Sequence, residues 1–274
     1  MTLLEPAAQR AAWAEPPAWL RFVTDTVTIA DAELRKVARD PLEILTRGVQ
    51  PILWLLVFGQ VLAGTRAIPT GSVPYLDFLA PGVLAQSALF SSIFYGIAVI
   101  WERDLGVVHK LLVSPASRTA LVLGKAVAGG LRGLAQSVLV FLVALAIGIH
   151  VRLEPLALLS VAAAIVGGSA LFATFSLIIA CLVRSRERFM GIGQLITMPL
   201  FFASSAVYPV SLMPDWLKVI AAVNPLTYMV DAIRSQMVVG GTSEHGLLVD
   251  GIVLAAGLTL LLLIAGRLYS RLAE

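Results

Sequence analysis

The chain has 274 residues, of which 58% are hydrophobic and 14% charged, with a mean hydropathy of +0.90 and a net charge of +3. Soluble domains carry about a quarter charged residues, so this chain cannot cover a water-facing surface, and a soluble enzyme or a disordered chain is excluded. The single cysteine, Cys181, excludes an internal disulfide or a cysteine-based metal cluster and reads as a small buried thiol within an integral membrane protein.

The first forty residues contain Glu5, Glu15, Asp25, Asp31 and Glu33 and no seven-residue apolar core, so no cleavable signal peptide is expected. Within residues 18–40, Leu20, Val23, Val27, Leu34 and Val37 recur at helical spacing. Arg35, Lys36 and Arg39 cluster at the end of this stripe, and Asp40-Pro41 breaks it. The pattern predicts an amphipathic helix in the cytoplasmic interface of the bilayer, its basic end near anionic headgroups. The alternative is a soluble helix capping another surface.

A bilayer crossing needs about 20 mostly apolar residues. Stretches free of Lys, Arg, Asp and Glu occur at 48–65, 78–101, 133–151, 155–183 and 189–214, and a sixth, 245–266, is interrupted only by Asp250. Six spans are predicted, with some loop or tilt in 155–183. With the N-terminus inside, fifteen Lys and Arg residues, among them Arg10, Arg47, Lys110, Lys125, Arg184 and Arg271, fall on the cytoplasmic side. Four fall outside (Arg66, Arg152, Lys218 and Arg234), and Arg132 lies within the third span. This bias predicts that both termini are cytoplasmic. Gly129 and Gly133 form a G-x-x-x-G pair that permits close helix approach, within the subunit or between copies.

Residues 101–115 mix the charges of Glu102 and Arg103 with an apolar set at Leu105, Val108, Leu111 and Leu112, and stop at Pro115. A solvated connector needs no apolar face, so a short amphipathic helix that docks a partner is predicted here. Residues 209–244 contain Pro209, Pro214 and Pro225 yet keep apolar runs at 216–223 and 226–233, neither long enough to span. A re-entrant helical hairpin in the outer leaflet accounts for both features, with Asn224-Pro225 as its turn and Asp231 and Arg234 able to pair on one face. The alternative is a plain outer loop.

Catalytic chemistry is not expected. The nearest approach to a phosphate loop, Gly124-Lys125, is followed by Ala126, and Thr119 stands where the first glycine belongs. His109, His150 and His245 fall in three different loops, so no metal site is expected. Asp250 lies at an outer end and Arg132 near an inner one, leaving no midplane carboxylate for a proton-coupled carrier. The energy source must lie in another chain.

The stretch Trp101-Glu102-Arg103-Asp104-Leu105-Gly106, continued by Leu111-Leu112-Val113-Ser114-Pro115, resembles the coupling-helix loop of type-2 ABC exporter permeases, E-R-E-x-G-T-x-x-x-L-x-x-(S/T)-P. Val107 and Val108 stand where that family often has threonine and a polar residue. Met213-Pro214, Asn224-Pro225-Leu226-Thr227-Tyr228 and Ile233-Arg234 resemble its second signature, a re-entrant hairpin before the sixth span. The resemblance covers essentially the whole chain, 1–274, as a single transmembrane domain, and is strongest to permeases of the daunorubicin-resistance type.

The resemblance implies an all-helical half-transporter in the cytoplasmic membrane of a prokaryote. Two copies would form the pore, and two separate ATP-binding subunits, holding ATP and Mg, would dock on Glu102, Arg103, Leu105, Gly106, Val108 and Leu111. The hairpin would be carried by Asn224, Pro225, Tyr228, Asp231 and Arg234. Phe90, Phe94 and Tyr95 in the second span, and Phe201, Phe202 and Tyr208 in the fifth, are candidates for the translocation path, or else face lipid or core. No cofactor is expected on this chain, and its partners are these subunits and membrane lipids, not nucleic acid. The expected cargo is an amphipathic drug-like or lipid-like molecule. The alternatives are a lipid-linked glycan or glycolipid, or a structural or sensory subunit that transports nothing.

Overall fold

Pro17 opens a helix, α1 (Ala18–Arg39), in the computed structural model, which describes residues 17–65, 68–71, 73–114, 116–183 and 185–269. Of the residues named above, Glu5, Arg10, Glu15, Arg66, Pro115, Arg184 and Arg271 lie outside these. The Asp40 carboxylate accepts from the Glu43 amide at 3.3 Å and Pro41 takes the first turn, so a second helix, α2 (Pro41–Thr65), starts at once. Pro51 removes one rung from its ladder, and the helix widens into a π-helical turn at Trp54–Gly59. There follow α3 (Tyr75–Asp104), α4 (Val107–Val113), α5 (Arg118–Ala146), α6 (Pro155–Leu182), α7 (Arg186–Phe202), α8 (Asp215–Val223), α9 (Pro225–Met237) and α10 (Leu247–Leu268). Among the described residues there is no strand, only an isolated bridge between Val151 and Val238.

Five helices, α2, α3, α5, α6 and α10, are long and apolar enough to cross a bilayer. The stretch 189–214, read from the sequence as one span, covers all but the first turn of the 17-residue α7 and then the turns that follow it. Pro199 lies inside α7, and the Asn224 side-chain amide donates to the carbonyls of Leu200 (2.7 Å) and Ala203 (3.1 Å). Those end carbonyls are thus satisfied, and the helix can stop inside protein. Residues 155–182, by contrast, need no loop and form one continuous helix.

The third span starts earlier than its uncharged stretch, at Arg118, because Lys125 and Arg132 are accommodated within α5 instead of ending it. Most of α3 and α6 is buried, whereas α2 and α10 present most of their apolar surface outward. The central core joins Leu79, Val83, Leu84 and Leu89 of α3 to Leu171 and Phe172 of α6 and to Met229, Val230 and Ile233 of α9. Small residues let these helices touch. A Cβ on Gly133 would fall 2.1 Å from Ser169 Oγ, and one on Gly129 would fall 2.4 Å from Ala173 Cβ. The glycine pair therefore joins α5 to α6 within one subunit.

Helix α1 packs on α5. Thr26, Ala30 and Glu33 are buried there, while Leu20, Val23 and Val27 of the predicted stripe stay exposed. Gly124 of α5 makes room, since a Cβ at that position would meet Ile29 Cβ at 2.7 Å.

Candidate functional site

The chain leaves α3 through Leu105 and turns at Gly106, whose φ of +72° is a conformation that glycine adopts freely. The turn aims the two faces of α4 differently. Val108 is 0% exposed, packed in a cluster with Tyr95, Val99, Ile100, Leu121 and Phe189, and Leu111 and Leu112 lie partly against the same cluster. Leu105 and Val113 point away, 71% and 87% exposed. Of the apolar residues predicted to meet a partner, Leu105 is available, Leu111 is half-buried, and Val108 instead fastens α4 to the membrane core.

The charges at the root of this loop form a closed set. Glu102 Oε2 accepts from Lys125 Nζ at 2.6 Å, Lys125 also donates to Glu33 Oε1 at 2.8 Å, and Lys36 donates to both Glu33 (3.2 Å) and Glu102. Two cations balance two carboxylates, and the ring ties α1, α3 and α5 together around a buried lysine. Burial alone would raise the Glu33 carboxyl, but Lys125 and Lys36 outweigh it and hold it at about 2, so Glu33 stays ionised. Below the ring, the Tyr95 ring lies 5.9 Å from Lys125 Nζ and 5.2 Å from the Arg132 guanidinium, and Arg132 reaches Glu43 at 3.3 Å.

Neighbouring charges fix the other side of the loop. Arg103 donates to the Val183 carbonyl at 3.1 Å, and Arg186 pairs with Asp104 at 2.7 Å while stacking 3.5 Å over the Trp101 ring. Glu102 and Arg103, expected among the docking residues, thus act inward as anchors. The sequence reading missed Glu33, Lys36 and Lys125 as members of the site. Their signal was available: a lysine inside an otherwise apolar helix must find partners, and acidic residues within reach are its natural ones.

The path candidates divide. Tyr95 and Phe201 are fully buried, while Phe90, Phe94, Phe202 and Tyr208 keep exposed surface. Phe90 and Phe94 lie 6.1 Å apart on α3, and Phe201 and Phe202 each lie 6.0 Å from Trp54 of α2. Tyr208 donates its hydroxyl proton to the Phe202 carbonyl, which fastens the turn after α7.

Residues 24–238 match the ABC-2 type transporter family. The chain belongs to this family. It is 28% identical over 220 residues to the putative transport permease ycf38 of Cyanophora paradoxa, covering 78% of this chain and 74% of the relative. It is 30% identical over 210 residues to nodulation protein J of Sinorhizobium fredii, covering 74% of this chain and 78% of that one. A daunorubicin resistance ABC transporter permease protein, DrrB1 of Streptomyces coeruleorubidus, is 27% identical over 235 residues, 81% of this chain and 78% of its own. The protein is accordingly an ABC-2 permease, a transmembrane subunit of the transporter type.

At the end of the permease opposite α4, Asn224 does two jobs, because its Oδ1 also accepts from the Leu226 amide at 3.0 Å and so caps α9, with Pro225 in the first turn. Tyr228 donates to the Ala222 carbonyl at 2.6 Å, closing the junction of α8 and α9. Asp231 and Arg234 do not pair as their spacing predicted. Arg234 donates to the carbonyls of Ser205 (2.6 Å) and Phe78 (3.3 Å) and lies 3.8 Å over the Phe78 ring. Asp231 accepts from Ser243 Oγ (2.8 Å) and from the amides of Glu244 and His245 (3.0 Å each).

Proposed function

We propose that this ABC-2 permease is the membrane-spanning half of an ATP-driven exporter that works as two copies with two separate ATP-binding subunits. The observation that carries the reading is the exposed pair Leu105 and Val113 on a short helix whose root is locked to α1 and α5 by the ring of Glu33, Lys36, Glu102 and Lys125. An apolar anchor seated in a partner's groove is the kind of contact that carries binding energy. A push received there cannot move α4 alone. Val108 couples it to the core, and the ionic ring couples it to the interface helix and the third span. The nucleotide and its Mg belong to the partner, and this chain's contribution is mechanical.

In this reading the membrane is crossed six times, by α2, α3, α5, α6, α7 and α10. Seventeen residues, the length of α7, fall at the short end of what a crossing needs. The pair α8 and α9 is the re-entrant hairpin of the outer leaflet, tolerable there because α9 is buried in protein. Both termini lie in the cytoplasm, and α1 rests in the interface with Leu20, Val23 and Val27 toward lipid.

The cargo passes between the copies along α3 and α7. Met190, Gln194, Leu195 and Phe202 of α7 are exposed, Phe90 and Phe94 of α3 keep part of their rings exposed, and beyond Glu187 and Arg188 in the first turn this surface of α7 is apolar and aromatic with one amide. Such a surface suits an amphipathic molecule, and the relatives named for daunorubicin and doxorubicin resistance support a drug-like one. The test is uptake of fluorescent doxorubicin into inverted vesicles that hold the permease and its ATP-binding subunit. ATP-dependent accumulation is expected, and its absence with an active ATPase present would overturn the drug-like reading.

A further inference from the structure

We propose that Asp231, His245 and Asp250 form a binding site for a divalent transition-metal ion of the zinc class, at the end of the permease opposite α4. Each residue offers one donor atom, a carboxylate oxygen or a ring nitrogen, and the three donors lie within 4.8 Å of one another. They come from three places: α9, the loop before α10, and the first turn of α10 itself.

Asp250 provides the second, independent observation. It is 0% exposed, and neither of its carboxylate oxygens has a hydrogen-bond partner among the described residues. A buried carboxylate without donors is strongly unfavourable, and a second carboxylate beside it makes matters worse. The groups beside it relieve it only in part: the His245 ring, whose Nδ1 lies 3.3 Å from Asp231 Oδ2, and the Ser243 hydroxyl. The Ser243 hydroxyl faces Asp250, but its single proton goes to Asp231 and its oxygen accepts from the Gly246 amide at 2.6 Å. Arg234, one turn along α9 from Asp231, is committed to the Ser205 and Phe78 carbonyls. A metal ion supplies the missing positive charge.

The remaining features suit such an ion. Asp231 is aimed by three donors, Ser243 Oγ and the amides of Glu244 and His245, which is how ligating carboxylates are held. The His245 side chain is 32% exposed and gives the ion a way in, and the Tyr228 ring 4.9 Å away limits how the imidazole can turn. One nitrogen and two oxygens favour zinc over calcium or magnesium, which prefer all-oxygen shells with more ligands. Zinc holds its donors at about 2.0–2.2 Å, hence about 3.4 Å from one another in a tetrahedron, so loading requires only a small approach of the 243–246 loop. Gly246, at φ +93°, gives the end of that loop a turn that glycine adopts freely. The sequence hid the set because its one histidine stands alone, and the two aspartates are nineteen residues apart on different helices. Loaded, the site would staple α9 to α10.

The test uses the full-length permease, purified through a tag without histidines, stripped with a chelator and returned to lipid nanodiscs. After addition of zinc chloride and desalting, about one zinc per chain is expected by elemental mass spectrometry. A rise in Tm of roughly 5 °C or more is expected at free zinc a hundredfold above Kd. His245→Ala, at an exposed side chain, and the isosteric Asp250→Asn should both lose the bound zinc and the shift, while His109→Ala keeps them. No retained zinc in the parent, or equal retention and an equal shift in both variants, would overturn the site. If Asp250 is instead relieved by a proton, Asp250→Asn melts at or above the parent temperature with or without zinc, and the parent does not respond to the metal.

Discussion

Lys125 is the residue that holds the ionic ring together, since its ammonium is buried between Glu33 and Glu102. Lys125→Met would leave two carboxylates facing each other with only Lys36 to balance them. Breaking a buried pair in this way typically costs about 3–5 kcal/mol, so a marked fall in the melting temperature of the purified permease is expected. Adding Glu33→Gln should restore part of the loss, which a double-mutant cycle measures. The Glu33 carboxyl is lowered in the folded chain from the ordinary 4.5 to about 2, so its contribution is complete above about pH 4.5 and fades as pH falls toward 2. Melting curves should therefore lose stability on the acid side of pH 4.5, and Glu33→Gln should flatten that limb relative to the parent. At Gly106 the backbone itself is the constraint. Gly106→Val forces a β-branched residue to φ +72° and should cost about 1–2 kcal/mol. Motif spacing picked out Glu102 and Gly106, but not that Glu102 turns inward. That depends on Lys125, which a search for uncharged stretches treats as outside the membrane.

Elements meet here through small residues and shared caps. Gly133→Leu would drive a side chain into Ser169 of α6, and overpacking of this kind costs about 1–3 kcal/mol. The loss should appear as lower thermal stability, with partial rescue by Ser169→Gly. Asn224→Ala should cost about 2–4 kcal/mol, because it removes the cap of α9 and frees two carbonyls at the end of α7. The glycine spacing was legible in the sequence as a contact, and the structure supplies its partner, α6. The reach of Asn224 back to Leu200 and Ala203 was not legible, because it depends on where α7 stops, and Pro199 with the following turn decides that. The stripe of α1 was legible as a helix, with Leu20, Val23 and Val27 exposed and Leu34 and Val37 half-buried. Its other face, where Thr26, Ala30 and Glu33 bury against α5, carries no hydrophobic pattern to find.

Across the whole molecule, the proposed function has one end receive force through α4 while the α8–α9 pair closes the other. The helix α3 runs between them, from Asp77, which accepts from the His150 amide at 3.4 Å, to Glu102 in the ionic ring. Apolar run length located the five long helices, but it missed the first half of α5, where Lys125 and Arg132 interrupt the run, and it overran at α7, where apolar loop residues extend the run beyond the helix. Energy transfer through α4 is the central claim, and it is tested most directly at residues that hold nothing else in place. Leu105→Asp with Val113→Asp changes two exposed side chains, so the melting temperature should stay within about 1–2 °C of the parent. Pull-down of the ATP-binding subunit from vesicles, with ATP-dependent export measured in the same preparation, gives the decisive pair of readings. Loss of both with the fold intact is the predicted result, and undiminished binding with undiminished export would contradict it.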